Sequence, residues 1–553
     1  MALSTPLLVY SSAVTYLHGI VALIVCFEVR LEDQLCGACD FGVFFYYKVK
    51  KLLQNPQVNL NYQDKHNQTP FFIACLRGHI TIVKLLLNDQ RVDVNKANNY
   101  GVTPFYIACS KGHIEIVKLL LNGQRIVDVN KANKWGATPF FITCQQGHIE
   151  IMKLLLSDER IDINKARNDG TTPFYFACEK GYIVIIKLLL NDNRVDINKA
   201  EKSIGATPFC IACQEEQIGI VKLLLKEKRV DLNKTDNDGA TPFYIACKNR
   251  RIGVIKSLLS DKRIAINKSN KKKISPLSLA CLKGSIEVVR LLLQNKRVRV
   301  NKTDNEGWTP LYLACFEGQI EIVKLLLNDE RVDINQTNKY LITPFWIACQ
   351  QGHTEIVKLL LNDKRVKINK GNNLKETPFW IACEKGYIVI VKLLLNHKRI
   401  NINKENDKGQ TPFYIACLKN RIKVVRLLLS DPRVDVKKTE CRNDLTAFSV
   451  ACFHEDKQLI ELLLHDERVD VNKVNNHGHQ TPLHQVCLYG KIETVELLLK
   501  HKRVDIRKEN KYGETIIDIA KKEMKEKENW KKIFELLESR LGMKTFFFFP
   551  CNY

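Results

Sequence analysis

A Thr-Pro step, or its equivalent, recurs through most of the 553-residue chain, at Thr69, Thr103, Thr138, Thr172, Thr207, Thr241, Ser275, Thr309, Thr343, Thr377, Thr411, Thr446, Thr481 and Thr515. Nine of the thirteen intervals are 34 residues and four are 35. A period of this size signals units that cannot bury their apolar face alone and do so by stacking. It outranks local readings, because a chain this long exceeds what one ordinary core supports. The extra residues fall where turns are expected, for instance in "GQRIVDVN" at 123–130 and "KAEKSIG" at 199–205.

Within a unit the pattern predicts two helices and a turn. In "TPFYIACSKGHIEIVKLLLN", Thr103 caps the first helix and Pro104 occupies its first turn. Gly112 ends that helix, and Ile114, Ile116, Val117, Leu119, Leu120 and Leu121 give a second, amphipathic one. The polar "RVDVNKANNYG" that follows carries Asn and Gly and predicts an extended turn.

The unit "DNDGATPFYIACKNRRIGVIKSLL" at 236–259 resembles an ankyrin repeat, in its Gly-x-Thr-Pro turn and in its second helix. The likeness runs from about 44 to 541. It implies a mainly α solenoid of stacked helix-turn-helix units with β-turn fingers. The expected divisions are an apolar segment at 1–42, a degenerate capping repeat at 43–68 and tandem repeats at 69–513. A capping repeat at 514–541 and an apolar tail at 542–553 complete them, in one stack without an internal linker. The chain departs from the family pattern two residues after the Thr-Pro pair, where an aromatic usually replaces histidine and only His484 keeps it. It also has Ala-Cys in place of Ala-Ala, and a longer Asn-Asp-x-Arg-Val-Asp after the second helix.

Thirteen of the nineteen cysteines share one position in the unit, from Cys75 to Cys487. Stacked helices lie roughly 10 Å apart, too far for a disulfide, which needs Cα atoms within about 7 Å. The ladder therefore reads as small apolar packing in a reducing, cytoplasmic setting. The pairs Cys36/Cys39 and Cys210/Cys213 lack the context of a metal or redox motif. The aromatic stripe Tyr106, Phe141, Tyr175, Tyr244, Tyr312, Trp346, Trp380 and Tyr414 follows the period as well, and reads as packing between units.

No glycine-rich phosphate loop, His-x-x-x-His pair or nucleophile elbow occurs, so neither an enzyme nor a cofactor or metal site is expected. Function is sought where the period fails. The resemblance implies partner binding through finger tips and the exposed side of the first helix. Candidates at or beside the tips are Tyr100, Trp135, Ile204, Trp308, Tyr340 and Leu374, with Phe316 and Leu418 on the first-helix side. The alternative is that some of them only cover neighbouring tips. The net charge of +25 is spread over Arg and Lys ladders and exceeds the period at one place. That place is "NKSNKKKIS", where Lys268, Lys271, Lys272 and Lys273 join Arg250, Arg251 and Lys283 as a basic patch suited to an acidic partner.

The expected function is thus a non-catalytic scaffold for a protein partner. A membrane-tethered adaptor and an acidic-partner or nucleic-acid binder are the rival readings, with nucleic acid the less favoured. The tether would be residues 7–27, an uncharged run long enough to cross a bilayer. The sequons at Asn67, Asn233, Asn267, Asn301 and Asn335 arise from the repeat.

Overall fold

A computed structural model describes residues 30–441, 444–524 and 528–542. All regular elements among the described residues are helices. They fall into two compact units, Met1–Lys271 and Lys272–Tyr553. Residues 7–27, and with them the expected tether, lie outside the described residues, as does most of the apolar tail. Among the described residues no helix is long and apolar enough to cross a membrane.

Each repeat is an inner and an outer helix. Most inner helices, such as Pro104–Lys111, start on a threonine whose hydroxyl accepts from the backbone N–H three residues on. Such a cap contributes about 1 kcal/mol. Proline at the first position fits because its missing N–H would have no helical partner there. Gly112 ends this helix with φ 81° and its N–H returns to Ala108 and Cys109. The outer helix Ile114–Asn122 buries Ile116, Val117 and Leu120 on one face, as the 3.6-residue period requires.

The glycine at the inner-helix end serves the stack as well as the turn. A Cβ on Gly78 would stand 2.6 Å from the His113 ring of the next repeat. That ring reaches the Leu76 carbonyl at 3.0 Å. His148 on Ser110 and His353 on Phe316 repeat the contact at 3.0 Å. Where the histidine is replaced, Gln217 reaches Glu179 at 3.2 Å and Arg421 reaches Glu384 at 2.8 Å.

Two side-chain ladders take the place of strand pairing in the segments between repeats. Asn164 donates to the Arg194 carbonyl at 2.6 Å and accepts from the Asp196 N–H at 2.7 Å, one repeat on. Asn335 does the same with Arg365 and Lys367, both at 2.8 Å. The sequon residues Asn233 and Asn301 are members of this ladder. The arginines form the second. Arg194 donates to the Leu156 carbonyl at the end of the preceding outer helix at 2.6 Å, and Asp192 holds it at 2.7 Å. A cation at a helix C-terminus is favoured by the dipole and satisfies a carbonyl left without a helical partner. The Arg hydrogen bond in turn holds the Asp192 carboxyl below its ordinary value.

All thirteen ladder cysteines are buried and free. Burial pushes their thiols up, Cys144 to about 12, so they are packed as protonated thiols rather than reactive thiolates. The first inner helix begins earlier than the repeat pattern suggested. Leu31–Phe41 packs on Pro70–Arg77, and its Ala38-Cys39 takes the register of Ala74-Cys75. Cys39 is thus a further rung of the same ladder, buried like the others. The helix pair it opens continues through a 3₁₀ turn, Gly42–Phe45, into Tyr46–Leu53.

Candidate interaction surface

Most fingers are built from an Asn or Asp five residues before the capping threonine, and Glu201, six before Thr207, plays that part in the Ile204 finger. Asn98 Oδ1 accepts from the N–H groups of Tyr100 at 2.9 Å and Val102 at 3.1 Å. Asn133 does so from Trp135 and Ala137, both at 3.0 Å. A short polar side chain that bonds the backbone two and four residues on closes the turn without a second strand. Successive fingers then join by backbone. The Lys134 N–H donates to the Tyr100 carbonyl at 2.9 Å, and Asn168 donates to Trp135 at 3.0 Å.

This places five of the candidates at one register, three residues before the capping threonine. Tyr100, Trp135 and Ile204 occupy it in the first unit, Tyr340 and Leu374 in the second. Each gives its carbonyl to the next finger and leaves its side chain about half exposed. Tyr100 and Trp135, on consecutive fingers, stack with ring centroids 5.8 Å apart and planes at 16°. They remain 57% and 55% exposed.

Trp308 is different. It stands one residue before Thr309 and lies along its own inner helix, 5.4 Å from Tyr312 and 6.0 Å from Phe316, with both rings nearly parallel to it. It is half-buried, and its buried indole N–H reaches no acceptor among the described residues. Phe316 and Leu418 are half-buried as well.

The aromatic stripe is buried along its whole length. It also carries polar links between repeats. The Trp346 indole donates to the Glu376 carbonyl at 2.8 Å and Trp380 donates to Gln410 at 3.0 Å. Asn133 donates to the Tyr106 hydroxyl at 3.0 Å. Burial pushes Tyr106, Tyr244 and Tyr312 up to about 12. His484, at the same register, is lowered by burial.

The basic patch divides between the two units. In the first, Arg250, Lys268 and Lys271 are exposed, and the Lys271 N–H joins its finger to Asp238 at 2.9 Å. Arg251 has a structural task, donating to the Gln214 carbonyl at 2.7 Å and pairing with Glu216 at 3.6 Å. In the second unit Lys272, Lys273 and Lys283 are exposed, and Lys273 holds φ 60° where most fingers have glycine.

Sequence reasoning missed three exposed apolar residues, two of which continue the Leu418 register. Phe453 and Leu488 each follow a ladder cysteine as Leu418 does, and Tyr489 follows Leu488. The signal was present, since most repeats have a polar residue there, such as Gln145, Glu179 or Gln350. Among the described residues no group of three or more His, Cys, Asp or Glu converges in a way that could hold a metal ion.

The family description "ankyrin repeats (3 copies)" matches residues 35–130, 124–201, 193–270, 254–338, 345–440 and 445–537. A second, "ankyrin repeats (many copies)", matches residues 317–361. A comparison with curated proteins returns no relative. With the stacked helix pairs, the capped turns and these matches all in one frame, the chain belongs to the ankyrin-repeat family.

Proposed function

We propose that this protein is a non-catalytic scaffold that binds another protein through its finger tips and inner-helix surface. Ankyrin repeats are generally protein-interaction modules. The observation that carries the reading is the Tyr100–Trp135 pair, two large rings more than half exposed on adjacent fingers. Their backbones are already fixed by the Asn98 and Asn133 turns and by the bond between fingers. A partner that covers them therefore meets a preorganised surface and orders little else. Tyr and Trp are the residues most enriched among interface hot spots. The buried free thiols support a reducing compartment, which we take to be the cytoplasm.

Proximity labelling in the native cell tests the proposal, with wild type compared to Tyr100→Ala plus Trp135→Ala. The variant should lose a defined set of labelled proteins by ten-fold or more at equal expression. An unchanged set at unchanged yield would refute the assignment of the tips.

A further inference from the structure

In the second unit, three consecutive inner helices, Pro412–Leu418, Ala447–Phe453 and Pro482–Leu488, pack side by side and end in Leu418, Phe453 and Leu488. Elsewhere this position is mostly polar, as at Ser110, Gln145, Glu179, Gln214, Lys248, Gln350 and Glu384. Three apolar residues in succession break the period, and Tyr489 extends the strip. Phe453 and Tyr489 meet edge to face with centroids 5.2 Å apart. They stay 48% and 63% exposed, and Leu488 42%. The core has no use for so much apolar surface in water, and a cluster of this kind on a folded chain marks a contact site.

Charge around the strip identifies the contact. The acids beside it are engaged: Glu455 pairs with Lys491, and Asp456 caps its helix at Leu459 and accepts from Asn420. Lys419 and Arg421 stand exposed next to Leu418. Arg421 spends its Nε on the Glu384 carbonyl but keeps its charge. The strip is thus an apolar floor with a cationic edge at its Leu418 end.

We infer that the Leu418–Phe453–Leu488–Tyr489 strip receives a protein segment that alternates apolar and acidic side chains. Apolar groups of the segment cover Phe453 and Leu488, while its carboxylates face Lys419 and Arg421, which also makes association salt-dependent. The inference rests on the scaffold reading and adds to it a second contact and the chemistry of what occupies it.

Three fluorescent peptides of equal length test it on the full chain: one with Leu and Phe among Glu, one with Leu and Phe among Lys, and one with Ser among Glu. The first should bind at least ten-fold more tightly than the other two. Phe453→Ala plus Leu488→Ala should remove that margin, and so should Lys419→Glu plus Arg421→Gln, with thermal unfolding showing that both variants remain folded. Equal binding of all three peptides, or a margin kept in both variants, would overturn the inference. So would self-association of the chain through the strip, seen as a mass doubling by light scattering that Phe453→Ala abolishes. Proximity labelling separates the two proposals. Partners lost with Trp135→Ala while the peptides fail would leave the scaffold reading standing and remove this one.

Discussion

The first unit carries Tyr100 against Trp135, and the second carries Trp308 against Tyr312 and Phe316. Both clusters stack a large finger ring on other aromatic rings. The first joins two fingers and stays more than half exposed, whereas the second folds down along one repeat. The difference is a shift of two residues. A ring three positions before the capping threonine projects from the tip of a turn whose backbone faces the next finger. A ring one position before it is turned toward the end of its own inner helix. Residue type alone does not make a recognition surface in this fold; register within the finger decides whether the ring packs or is available.

The largest effect expected from this contrast is on stability. Trp308→Ala removes a half-buried ring that stacks on two others, which should cost about 2–3 kcal/mol, below the range for a fully buried tryptophan. Stability of a repeat array is local, so the measurement is hydrogen exchange of the amides in Pro310–Phe316 and Ile320–Leu327. Trp308→Phe should recover at least half of the loss, because it keeps a ring in the stack and removes the indole N–H that has no acceptor among the described residues. Trp135→Ala measured in the same way should move exchange by less than about 0.5 kcal/mol. Comparable losses at Trp308 and Trp135 would erase the distinction between a packed and an available ring.

Much of the frame could be seen in the sequence because it repeats. Thr103, Pro104 and Gly112 state the inner helix by type and spacing, and Cys109 states by its recurrence that it is packed. The jobs of Asn164 and Arg194 could not be read in the same way. Each bonds a residue in another repeat, and a periodic charged or amide residue looks the same whether it is solvated or bridging. Arg251 shows the cost, since it belongs to a basic run in sequence yet is occupied by the Gln214 carbonyl. The tip register of Tyr100 was legible from its distance to Thr103, but the inward turn of Trp308 was not. Leu31–Phe41 was hidden for another reason: it lacks the Thr-Pro start, and only Ala38-Cys39 keeps the frame.

Fingers also differ in what their tips cost. Tyr100 and Trp135 precede Gly101 and Gly136, at φ 74° and 81°. Tyr340 and Leu374 precede Leu341 and Lys375, which hold φ 58° and 59° with a Cβ in place. The left-handed region costs a non-glycine residue about 1 kcal/mol. Leu341→Gly should therefore stabilise its finger by up to about 1 kcal/mol, less what the freer unfolded chain takes back. The readout is exchange of the Asn373 N–H, which donates to the Tyr340 carbonyl at 3.0 Å. Gly136→Ala, the converse change, should destabilise, all the more because a Cβ there would stand 2.6 Å from Asn168 Oδ1. A loss of protection on Leu341→Gly would mean that the Leu341 side chain, itself 49% exposed, is packed by something beyond its backbone.

The smallest effect is the most informative about the exposed pair. Tyr100 and Trp135 stack without being enclosed, so their mutual attraction should survive only in part against water. A double-mutant cycle of Tyr100→Ala and Trp135→Ala, read at the Lys134 N–H that donates to Tyr100, should return a coupling of about 0.5 kcal/mol. That corresponds to roughly a two-fold change in exchange, enough to bias the rings toward one arrangement and too little to hold the fingers together. A coupling above about 1.5 kcal/mol would make the pair a structural element of the same kind as Trp308 with Tyr312. Truncating either ring would then disturb the fingers themselves, and a loss of partners on Trp135→Ala would no longer report contact at the tip. A coupling near zero would leave two independent anchors, each expected to carry its own share of binding. The intermediate value is what two preorganised rings, open to a partner on their outer faces, require.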